Sequence, residues 1–375
     1  MTKILTVFGT RPEAIKLAPV IHELKKYPEI ETRICVTAQH REMLDQVLNL
    51  FELRPDIDLN LMRPNQSLAE ITAEVISEME HVLEAEKPDV VVIQGDTTTV
   101  MATALAAFYK KIAIAHVEAG LRSGDIYSPY PEEMNRRVVS MVASYHFAPT
   151  QRAVDNLLKE GVPKDRIFLT GNTVIDALKM IVARPAPEEA KKILRLAGCD
   201  GAYPSKRLIL VTAHRRENFG KRLENICKAL RMIVENNPDV AIVYPVHMNP
   251  NVRKPVEKIL RGLDRMVLTE PVSYDVLAHL MQKAYMIMTD SGGIQEEAPA
   301  LGKPVLVMRE ETERPEGIEA GTARLVGTNE GKIVEEAEKL LHDREAYDAM
   351  AKAINPYGDG HAAERIVKVL RGVEV

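Results

Sequence analysis

Short apolar runs alternate with amphipathic segments along almost the whole of this 375-residue sequence. This alternation restricts the fold more than any other feature. Runs such as "PDVVVIQGD" and "RLILVT" are continuous rather than alternating, which is typical of strands that are buried on both faces of a parallel sheet. Helical patterns between such strands indicate βαβ units. The sequence therefore predicts an α/β protein built from doubly wound, Rossmann-like parallel sheets.

One segment interrupts the alternation. The stretch "ARPAPEEAKKILRLAGCDGAYPSK", residues 183–206, is rich in proline, glycine and charge. A chain of this length also favours two domains over one. We therefore predict a Rossmann-like domain over 1–172, a connecting region over 173–206, a second Rossmann-like domain over 207–355, and a final helical segment over 356–375 that can pack back on the first domain.

Composition excludes several classes of function. The formal net charge is -5 and the charges are of mixed sign, so the basic surface typical of nucleic-acid binding is missing. No apolar run is long enough to cross a membrane. The three cysteines are far apart, as is typical of reduced residues in a cytoplasmic protein. Because HExxH and CxxC motifs are both absent, we expect no dedicated metal site.

Ligands of open parallel sheets bind beyond the carboxyl ends of the strands, so these positions are the first candidates for a site. The first strand ends in "FGTRPEAIK", which has a single glycine and therefore lacks the dinucleotide fingerprint of a nicotinamide enzyme. Arg11 and Lys16 could reach an anion near the start of the following helix. A helix cap and a solvated lysine are the alternative interpretation.

Three later strand ends in the first half carry acids. Asp96 follows "VVVIQG", Glu118 follows "IAIAHV", and Glu132 and Glu133 lie in "SPYPEEMNRR". Asp96 could be only an N-cap, and the glutamates could merely complement a helix dipole. An acid placed directly after an apolar strand, such as Glu118, is expected to be desolvated, which raises its pKa and suits it to proton transfer.

The second half supplies groups suited to a phosphate. His214 and Arg215 follow the strand "RLILVT", and a histidine there can donate a proton or bind an anion. The alternative for His214 is a ring satisfied by a backbone carbonyl. A further set of candidates lies in and beyond "DSGGIQEEAP": backbone and hydroxyl donors, an acceptor for ribose hydroxyls and a cation for phosphates. They are Ser291, Gly292, Gly293, Glu297 and Arg314.

Short motifs occur in order along nearly the whole chain. They are "FGTRPEAIK", "TAQHREMLDQ", "GDTTT", "HVEAGLRS", "PEEMNR", "TAHRREN", "YPVHMNP", "TDSGGIQEEAP", "GKPVLVMR", "TERPEG" and "NPYGDG". In this combination the sequence resembles the non-hydrolysing UDP-N-acetylglucosamine 2-epimerases of bacteria and archaea. The resemblance implies two domains of the glycosyltransferase B-type fold that face a central cleft, a homodimer, and neither a metal nor a nicotinamide cofactor. It also implies reversible conversion of UDP-GlcNAc to UDP-ManNAc for cell-surface polysaccharide synthesis.

The same resemblance implies roles for individual residues. Elimination of UDP would give a 2-acetamidoglucal, and re-addition with a proton on the opposite face would invert C2. Asp96, Glu118 and Glu132 become the acid/base candidates, and His214 would assist the departing UDP. The implied nucleotide ligands are Arg11, Lys16, Ser291, Gly292, Gly293, Glu297 and Arg314.

Bacterial members are activated by their own substrate at a second site, and "QHREMLDQ" is similar to the motif of that site. The implied residues are Gln39, His40, Met43, Gln46, Arg215 and His247. An ordinary helix face is the alternative for Met43 and Gln46. Leu277 stands where family members often place an aromatic residue near the uracil, and Tyr274 is a possible substitute.

Three rival functions stay open. A hydrolysing epimerase shares the fold and releases UDP, although "QHREMLDQ" favours the non-hydrolysing type. A glycosyltransferase of the same fold would need an acceptor site, and three strand-end acids are more than a simple transferase needs. A sugar-nucleotide binding module would bind without turnover.

Overall fold

The structure is a computed structural model that describes residues 1–37, 41–61, 63, 66–201 and 206–373, with backbone alone at 41–43. It divides into two compact units. Unit 1 comprises Met1–Ala177 and Gly358–Val375, and unit 2 comprises Leu178–Tyr357.

The sheet of unit 1 has seven strands within the described residues. They are β1 (Thr2–Phe8), β2 (Ile30–Val36), β3 (Ile57–Asp58), β4 (Val90–Gln94), β5 (Ala113–Val117), β6 (Tyr145–Ala148) and β7 (Ile167–Leu169). Their order is β3-β2-β1-β4-β5-β6-β7, and every neighbouring pair is parallel. The helices of this part of the chain are α1 (Arg11–Leu24), α2 (Arg41–Leu50), α3 (Leu68–Glu86), α4 (Thr98–Tyr109), α5 (Glu132–Val142), α6 (Gln151–Lys159) and α7 (Thr173–Val182), which crosses the unit boundary.

Unit 2 repeats this plan with six strands in the part of the chain that the structure describes. They are β8 (Arg207–Thr212), β9 (Val240–Pro245), β10 (Met266–Thr269), β11 (Met286–Thr289), β12 (Val305–Val307) and β13 (Ala323–Leu325). Their order is β10-β9-β8-β11-β12-β13, again all parallel. The remaining helices are α8 (Glu188–Ala197), α9 (Lys221–Asn236), α10 (Pro250–Leu260), α11 (Tyr274–Lys283), α12 (Gly292–Glu297), α13 (Pro315–Glu319), α14 (Glu330–His342), α15 (Arg344–Ala351) and, back in unit 1, α16 (Ala362–Leu370).

The continuous apolar runs explain the layering. All five residues of β4 are buried, and so are five of the six residues of β8, because helices cover both faces of each sheet. Short 3-10 helices occur at Lys164–Arg166, Arg216–Asn218 and Ala298–Leu301. The predicted fold class of two Rossmann-like, doubly wound sheets is therefore confirmed.

Helices occupy the segments that precede the second sheet and follow it in the sequence. The segment that we predicted to be a connecting region, 173–206, contains α7 and α8. Helix α8 ends at Gly198, which adopts a left-handed φ of 67°, and it packs against α11, β9 and β10. The final helix α16 packs against α1 within unit 1.

Each sheet has one point at which the strand order reverses. In unit 1 this switch point lies between β1 and β4, and in unit 2 it lies between β8 and β11. The loops that leave the carboxyl ends of these strands diverge to opposite faces and leave a crevice between them, the usual ligand position of such sheets. The predicted site residues follow these four strands and their neighbours.

Candidate active site

A buried glutamate joins the two loops at the switch point of unit 1. The Oε2 of Glu13 accepts hydrogen bonds from the amides of Gly9, at 2.7 Å, and Thr10, at 2.8 Å, and the hydroxyl of Thr97 donates to its Oε1. Burial raises the pKa of Glu13 above its ordinary value, although these donors oppose the effect. The loop after β1, which carries Arg11, is thereby tied to the loop after β4.

Glu118 sits in a cradle of three donors. Its Oε1 accepts from Nζ of Lys16 at 2.5 Å and from Nδ2 of Asn172 at 3.0 Å, and the amide of Gln94 donates to Oε2. The side chain is only 7% exposed. The donors come from α1, from β4 and from the segment after β7, and they favour a carboxylate over a neutral acid. Lys16, which the sequence placed near an anion of the ligand, here contacts a protein carboxylate.

The backbone at Glu118 is unusual for a residue with a side chain. Its φ is 67°, in the left-handed region that non-glycine residues rarely enter. Such conformations persist where surrounding contacts enforce them, and they occur often at functional sites. The strained backbone directs the carboxylate towards its donors instead of continuing the strand.

Asp96 pairs with an arginine. Its Oδ2 lies 2.6 Å from Nη2 and 2.9 Å from Nε of Arg136, and Nδ2 of Asn135 donates to its backbone carbonyl. The N-cap of α4 is Thr97, whose hydroxyl accepts from the amide of Val100. Asp96 is therefore not the helix cap, and its carboxylate belongs to the surface at the end of β4.

The adjacent acids at the start of α5 differ in their surroundings. Glu133 is fully buried, accepts from the amide of Ser123 and pairs with Arg136 and Arg137. Burial alone would raise the pKa of Glu133, but the amide and the two guanidiniums lower it below its ordinary value. The Oε2 of Glu132 is also buried but has no hydrogen-bond partner among the described residues. Of the two, Glu132 is the acid that still has a lone pair to offer.

An aspartate has the corresponding place at the switch point of unit 2. Asp290 follows β11 and is 0% exposed. Its Oδ2 accepts from the amides of His214, at 2.9 Å, and Arg215, at 2.8 Å, and from Nδ2 of Asn218, at 3.0 Å. These bonds join the loop after β8 to the loop after β11. The second oxygen, Oδ1, lies 3.7 Å from Nδ1 of His214.

His214 is half-exposed, with 42% of its side chain accessible. Its ring stacks on that of His247, with centroids 5.5 Å apart and an interplanar angle of 11°. Burial lowers the pKa of His214, the carboxylate of Asp290 opposes this, and His247 and Arg215 lower it further. A neutral ring that is close to an acid and open to solvent on one side can exchange protons with a bound ligand.

Cationic side chains converge on the start of α12. A Cβ at Gly292 would lie 3.2 Å from Oε1 of Glu313, 3.7 Å from Nη2 of Arg215 and 3.9 Å from Cζ of Arg314, so a larger residue would fill the space beside both guanidiniums and the carboxylate that pairs with Arg215. The buried Glu296 pairs with Arg314, and Glu313 pairs with Arg215. The backbone at Ser291 and Gly292 therefore lies beside two cations, an arrangement suited to phosphate oxygens.

The other ligand candidates of unit 2 lie one turn further along. Oε2 of Glu297 accepts from the hydroxyl of Tyr274 at 3.1 Å, and a Cβ at Gly293 would lie 3.6 Å from Oε1 of Glu297. Tyr274 is buried, so its ring has little surface on which a base could stack, and it orients Glu297 instead. Leu277 is half-buried on α11.

The residues implied for a second site are described only in part. Gln39 and His40, and the side chain of Met43, lie outside the described residues. Gln46 is exposed on α2. Arg215 and His247 both lie beside His214 in unit 2. Arg11, the first residue of α1, is half-exposed.

Sequence reasoning missed four residues that the site uses. Gln94 and Asn172 donate to Glu118, while Glu13 and Asp290 hold the switch-point loops. Each lies at or within a few residues of a strand end, as Asp96 and Glu118 do, so the position along the chain is a signal for all of them. The sequence does not show whether a polar side chain at such a position faces a ligand or is buried against a neighbouring loop.

No helix in the described ranges has both the length and the apolar character needed to cross a membrane. Nor do the described residues contain a group of three or more His, Cys, Asp or Glu side chains placed to hold a metal ion.

Comparison with known proteins gives one consistent result. The family model for UDP-N-acetylglucosamine 2-epimerase matches residues 22–371. A UDP-N-acetylglucosamine 2-epimerase of Yersinia pestis is 55% identical, with 100% of this chain and 99% of that protein covered. A solved structure from Listeria monocytogenes is 49% identical with a TM-score of 0.93, covering 99% of this chain and 96% of that one. The UDP-GlcNAc 2-epimerase of Neisseria meningitidis, solved with UDP-GlcNAc bound, is 50% identical with a TM-score of 0.85, covering 99% and 100% of the two chains.

Fold and site together define a protein of the glycosyltransferase B-type architecture with acids at one switch point and cations at the other. Within that class, the full-length matches place it further. The chain belongs to the UDP-N-acetylglucosamine 2-epimerase family.

Proposed function

We propose that this protein is an isomerase that interconverts UDP-N-acetylglucosamine and UDP-N-acetylmannosamine without releasing free sugar. Family membership supports the epimerase activity, and the relative with bound UDP-GlcNAc supports that compound as the substrate. The product would be a precursor for cell-surface polysaccharide.

The chemistry requires two kinds of site. The C2 proton of the sugar is not adjacent to a carbonyl, so its removal alone would leave an unstabilised carbanion. Removal of that proton while the C1–O bond to UDP breaks gives 2-acetamidoglucal, UDP and a proton held by the enzyme. Re-formation of the C1–O bond and delivery of a proton to the opposite face of C2 complete the inversion. Carboxylates must therefore reach the sugar, and cations must stabilise the pyrophosphate.

The cradle of Glu118 is the observation that carries this proposal. A carboxylate that is 7% exposed and held by donors from three separate elements is fixed in position before any substrate arrives. Fixed carboxylates are what a stereospecific proton transfer needs, because each face of C2 must meet its own group. The three strand-end acids, Asp96, Glu118 and Glu132, are also more than a simple glycosyltransferase needs.

The other roles follow from the same division. We assign Asp96, Glu118 and Glu132 to proton transfer at the sugar, and His214 to the departing phosphate. The unpartnered Oε2 of Glu132 is consistent with a group that acquires its partner from the substrate. The nucleotide would be held by Arg11, Lys16, Ser291, Gly292, Gly293, Glu297 and Arg314.

The assignment has consequences beyond the site itself. We also propose a cytoplasmic homodimer that UDP-GlcNAc activates at a second site, to which Gln39, His40, Met43, Gln46, Arg215 and His247 contribute. Activation of this kind predicts a sigmoidal dependence of rate on UDP-GlcNAc concentration.

One experiment separates the possibilities. The purified protein is incubated with UDP-GlcNAc in heavy water, and the C2 position and the free sugar are followed by NMR. We expect deuterium at C2 in both nucleotide-sugars and no free sugar. Release of free N-acetylmannosamine with UDP would identify the hydrolysing reaction instead, and binding without exchange at C2 would identify a binding module. Incubation in ordinary water controls for chemical shift changes that do not depend on exchange.

A further inference from the structure

The carboxylate of Asp290 is satisfied on one side only. Its Oδ2 already accepts three hydrogen bonds, from the amides of His214 and Arg215 and from Asn218. Its Oδ1 is buried and has no hydrogen-bond partner among the described residues. An unsatisfied oxygen in a site that is 0% exposed is costly to leave unpaired, so a nearby donor is expected to use it.

The imidazole of His214 is well placed to be that donor. Its Nδ1 lies 3.7 Å from Oδ1, a little beyond the ~3.2 Å of a normal N–H···O bond. The amide of the same residue is already bound to Oδ2, so the ring and the carboxylate cannot drift far apart. The stacked ring of His247 limits rotation of the imidazole out of this plane.

We propose that Asp290 is a positioning residue for His214, holding its loop through Oδ2 and its Nδ1–H through Oδ1 so that Nε2 is the nitrogen presented to the ligand. The two ring nitrogens lie on different edges, so a bond from Nδ1 to the buried acid leaves Nε2 on the open side of the ring. A hydrogen bond from Nδ1–H to a carboxylate selects that tautomer and stabilises the protonated ring.

The part of the proposal that concerns turnover rests on the proposed function. When the C1–O bond breaks, the proton on Nε2 passes to a phosphate oxygen of the departing UDP, and it returns to Nε2 when the bond re-forms. Nδ1 keeps its proton throughout, and Asp290 does not change its protonation state. The acid thus acts through the histidine and does not contact the substrate.

Charged groups around the ring determine the expected response to pH. Burial lowers the pKa of His214, Asp290 raises it, and His247 and Arg215 lower it. Among the described residues, Asp290 is the carboxylate that raises the pKa of this histidine. Removal of its charge should therefore lower the pKa of His214 further.

The test uses Asp290→Asn in the full-length protein labelled with 13C and 15N at histidine. The carbonyl oxygen of an asparagine can keep all three bonds of Oδ2, while its NH2 replaces Oδ1 and donates to Nδ1. We expect neutral His214 to carry its proton on Nδ1 in the wild type and on Nε2 in the variant, with a lower pKa in the variant. The His214 resonances are assigned by their loss in His214→Gln.

Asn218→Ala is the matched control. It removes one donor from Oδ2 and leaves the charge of Asp290 in place, so it should lower the melting temperature without changing the tautomer or the pKa of His214. If Asp290 only tethers the loop, Asp290→Asn would behave in the same way, and that result would overturn the proposal. If Asp290→Asn does not fold, the wild-type tautomer decides alone, because a proton on Nε2 in the neutral ring contradicts the pairing.

Turnover is measured separately on the same proteins. We expect Asp290→Asn to lower kcat about 10- to 100-fold, part of the ~10²–10⁴-fold that a general acid contributes, with little change in KM and with a shifted pH–rate profile. A wild-type protein that shows the Nδ1–H tautomer but does not epimerise UDP-GlcNAc would refute the proposed function and leave the pairing standing. An unchanged pH–rate profile in an active variant would refute the positioning role.

Discussion

The two sheets have the same strand order around their switch points, and in each a buried acid ties together the two loops that meet there. In unit 1, Glu13 comes from the first helix and reaches Thr97 in the loop after β4. In unit 2, Asp290 comes from the loop after β11 and reaches the amides after β8. The fold thus uses one solution twice, with the acid supplied from opposite sides of the crevice.

The two acids differ in whether both carboxylate oxygens accept hydrogen bonds. Both oxygens of Glu13 are occupied by neutral donors, and its role requires acceptor atoms but no charge. Asp290 keeps Oδ1 beside a titratable imidazole. A carboxylate that joins two loops can therefore also influence proton transfer when one of its oxygens faces a titratable group. The same comparison separates Glu132 from Glu133 within unit 1.

The largest expected effect concerns the acid that we place nearest to the chemistry. Glu118→Gln should lower kcat by about 10²–10⁴-fold, the range for loss of a general acid or base, while UDP binding persists because the cations of unit 2 are untouched. NMR of C2 epimerisation gives the rate, and calorimetry gives the affinity for UDP. Glu84→Gln, at an exposed ion pair on α3, is the control. Turnover at the wild-type rate would remove Glu118 from the mechanism.

Substitution of Glu13 tests whether the tether of unit 1 needs its charge. Glu13→Ala leaves the buried amide of Gly9, the partly buried amide of Thr10 and the hydroxyl of Thr97 without this acceptor, and we expect it to lower the free energy of unfolding by about 2–4 kcal/mol. Glu13→Gln keeps acceptor capacity and should cost about 1 kcal/mol or less. Urea unfolding of the three proteins provides the measurement.

The pH dependence of the stability of Glu13→Gln shows whether the charge of Glu13 stabilises or destabilises unit 1. Because the folded-state pKa of Glu13 is raised above 4.5, the folded protein holds more protons than the unfolded chain between the two values. Ionised Glu13 therefore costs stability that grows as pH rises through this interval. Relative to the wild type, Glu13→Gln should become more favourable from pH 4.5 to pH 8, and the opposite trend would show that the carboxylate charge stabilises unit 1.

The cation cluster of unit 2 should respond mainly in binding. Arg314→Ala is expected to weaken UDP binding about 10- to 100-fold, because hydrogen bonds to charged groups contribute roughly 1.5–3 kcal/mol. Since the buried Glu296 loses this ion pair in Arg314→Ala, Arg314→Lys is the companion variant that keeps a charge. Arg324→Ala, which breaks an ion pair on β13, is the matched control. Unchanged titration curves for Arg314→Ala would refute the phosphate role.

The last prediction concerns a buried histidine of unit 1. His116 in β5 is fully buried, and burial lowers its pKa to about 4. The unfolded chain, with a value of 6.5, then binds more protons between pH 4 and 6.5, so stability falls as pH is lowered through this interval. Between pH 7 and pH 5 the loss should be about 2 kcal/mol.

His116→Gln should remove that part of the pH dependence, because an amide can still donate to the carbonyl of Gly95. Urea unfolding at pH 5 and pH 7 measures the difference between the variant and the wild type. Met141→Gln, at an exposed position on α5, removes no titratable group and should leave the slope as it is. An equal slope in His116→Gln would show that His116 does not titrate as buried histidines do.

Sequence periodicity predicted the fold because each strand and helix carries its own pattern. The sequence predicts a strand end at Gly95-Asp96, and the strand β4 ends one residue earlier, at Gln94. It also predicts the strand that ends at Val117, directly before Glu118. The helix in the region 183–206 is harder to predict, because prolines and glycines flank it on both sides and it spans only Glu188–Ala197. Composition averaged over the whole segment conceals a helix of that length.

The partners of the site could not be predicted in the same way. Asn172 lies 54 residues from Glu118, and Gln94 lies 24 residues from it, so only the folded sheet brings them together. Glu132 and Glu133 are neighbours in sequence. The direction of each side chain on α5 determines that Glu133 is the one that pairs with the arginines. Such choices depend on tertiary packing, and a single sequence does not encode them in a local pattern.

The left-handed backbone of Glu118 limits how this position can change. Glycine, asparagine and aspartate enter that region at low cost, whereas valine or isoleucine would clash with the adjacent carbonyl. Many substitutions at residue 118 would thus destabilise the folded protein through the backbone conformation alone, whatever their effect on substrate. Redesign of the group that we propose for proton transfer is most accessible through Asp and Asn, because Asp changes the reach and Asn also the charge while the backbone conformation at residue 118 is kept.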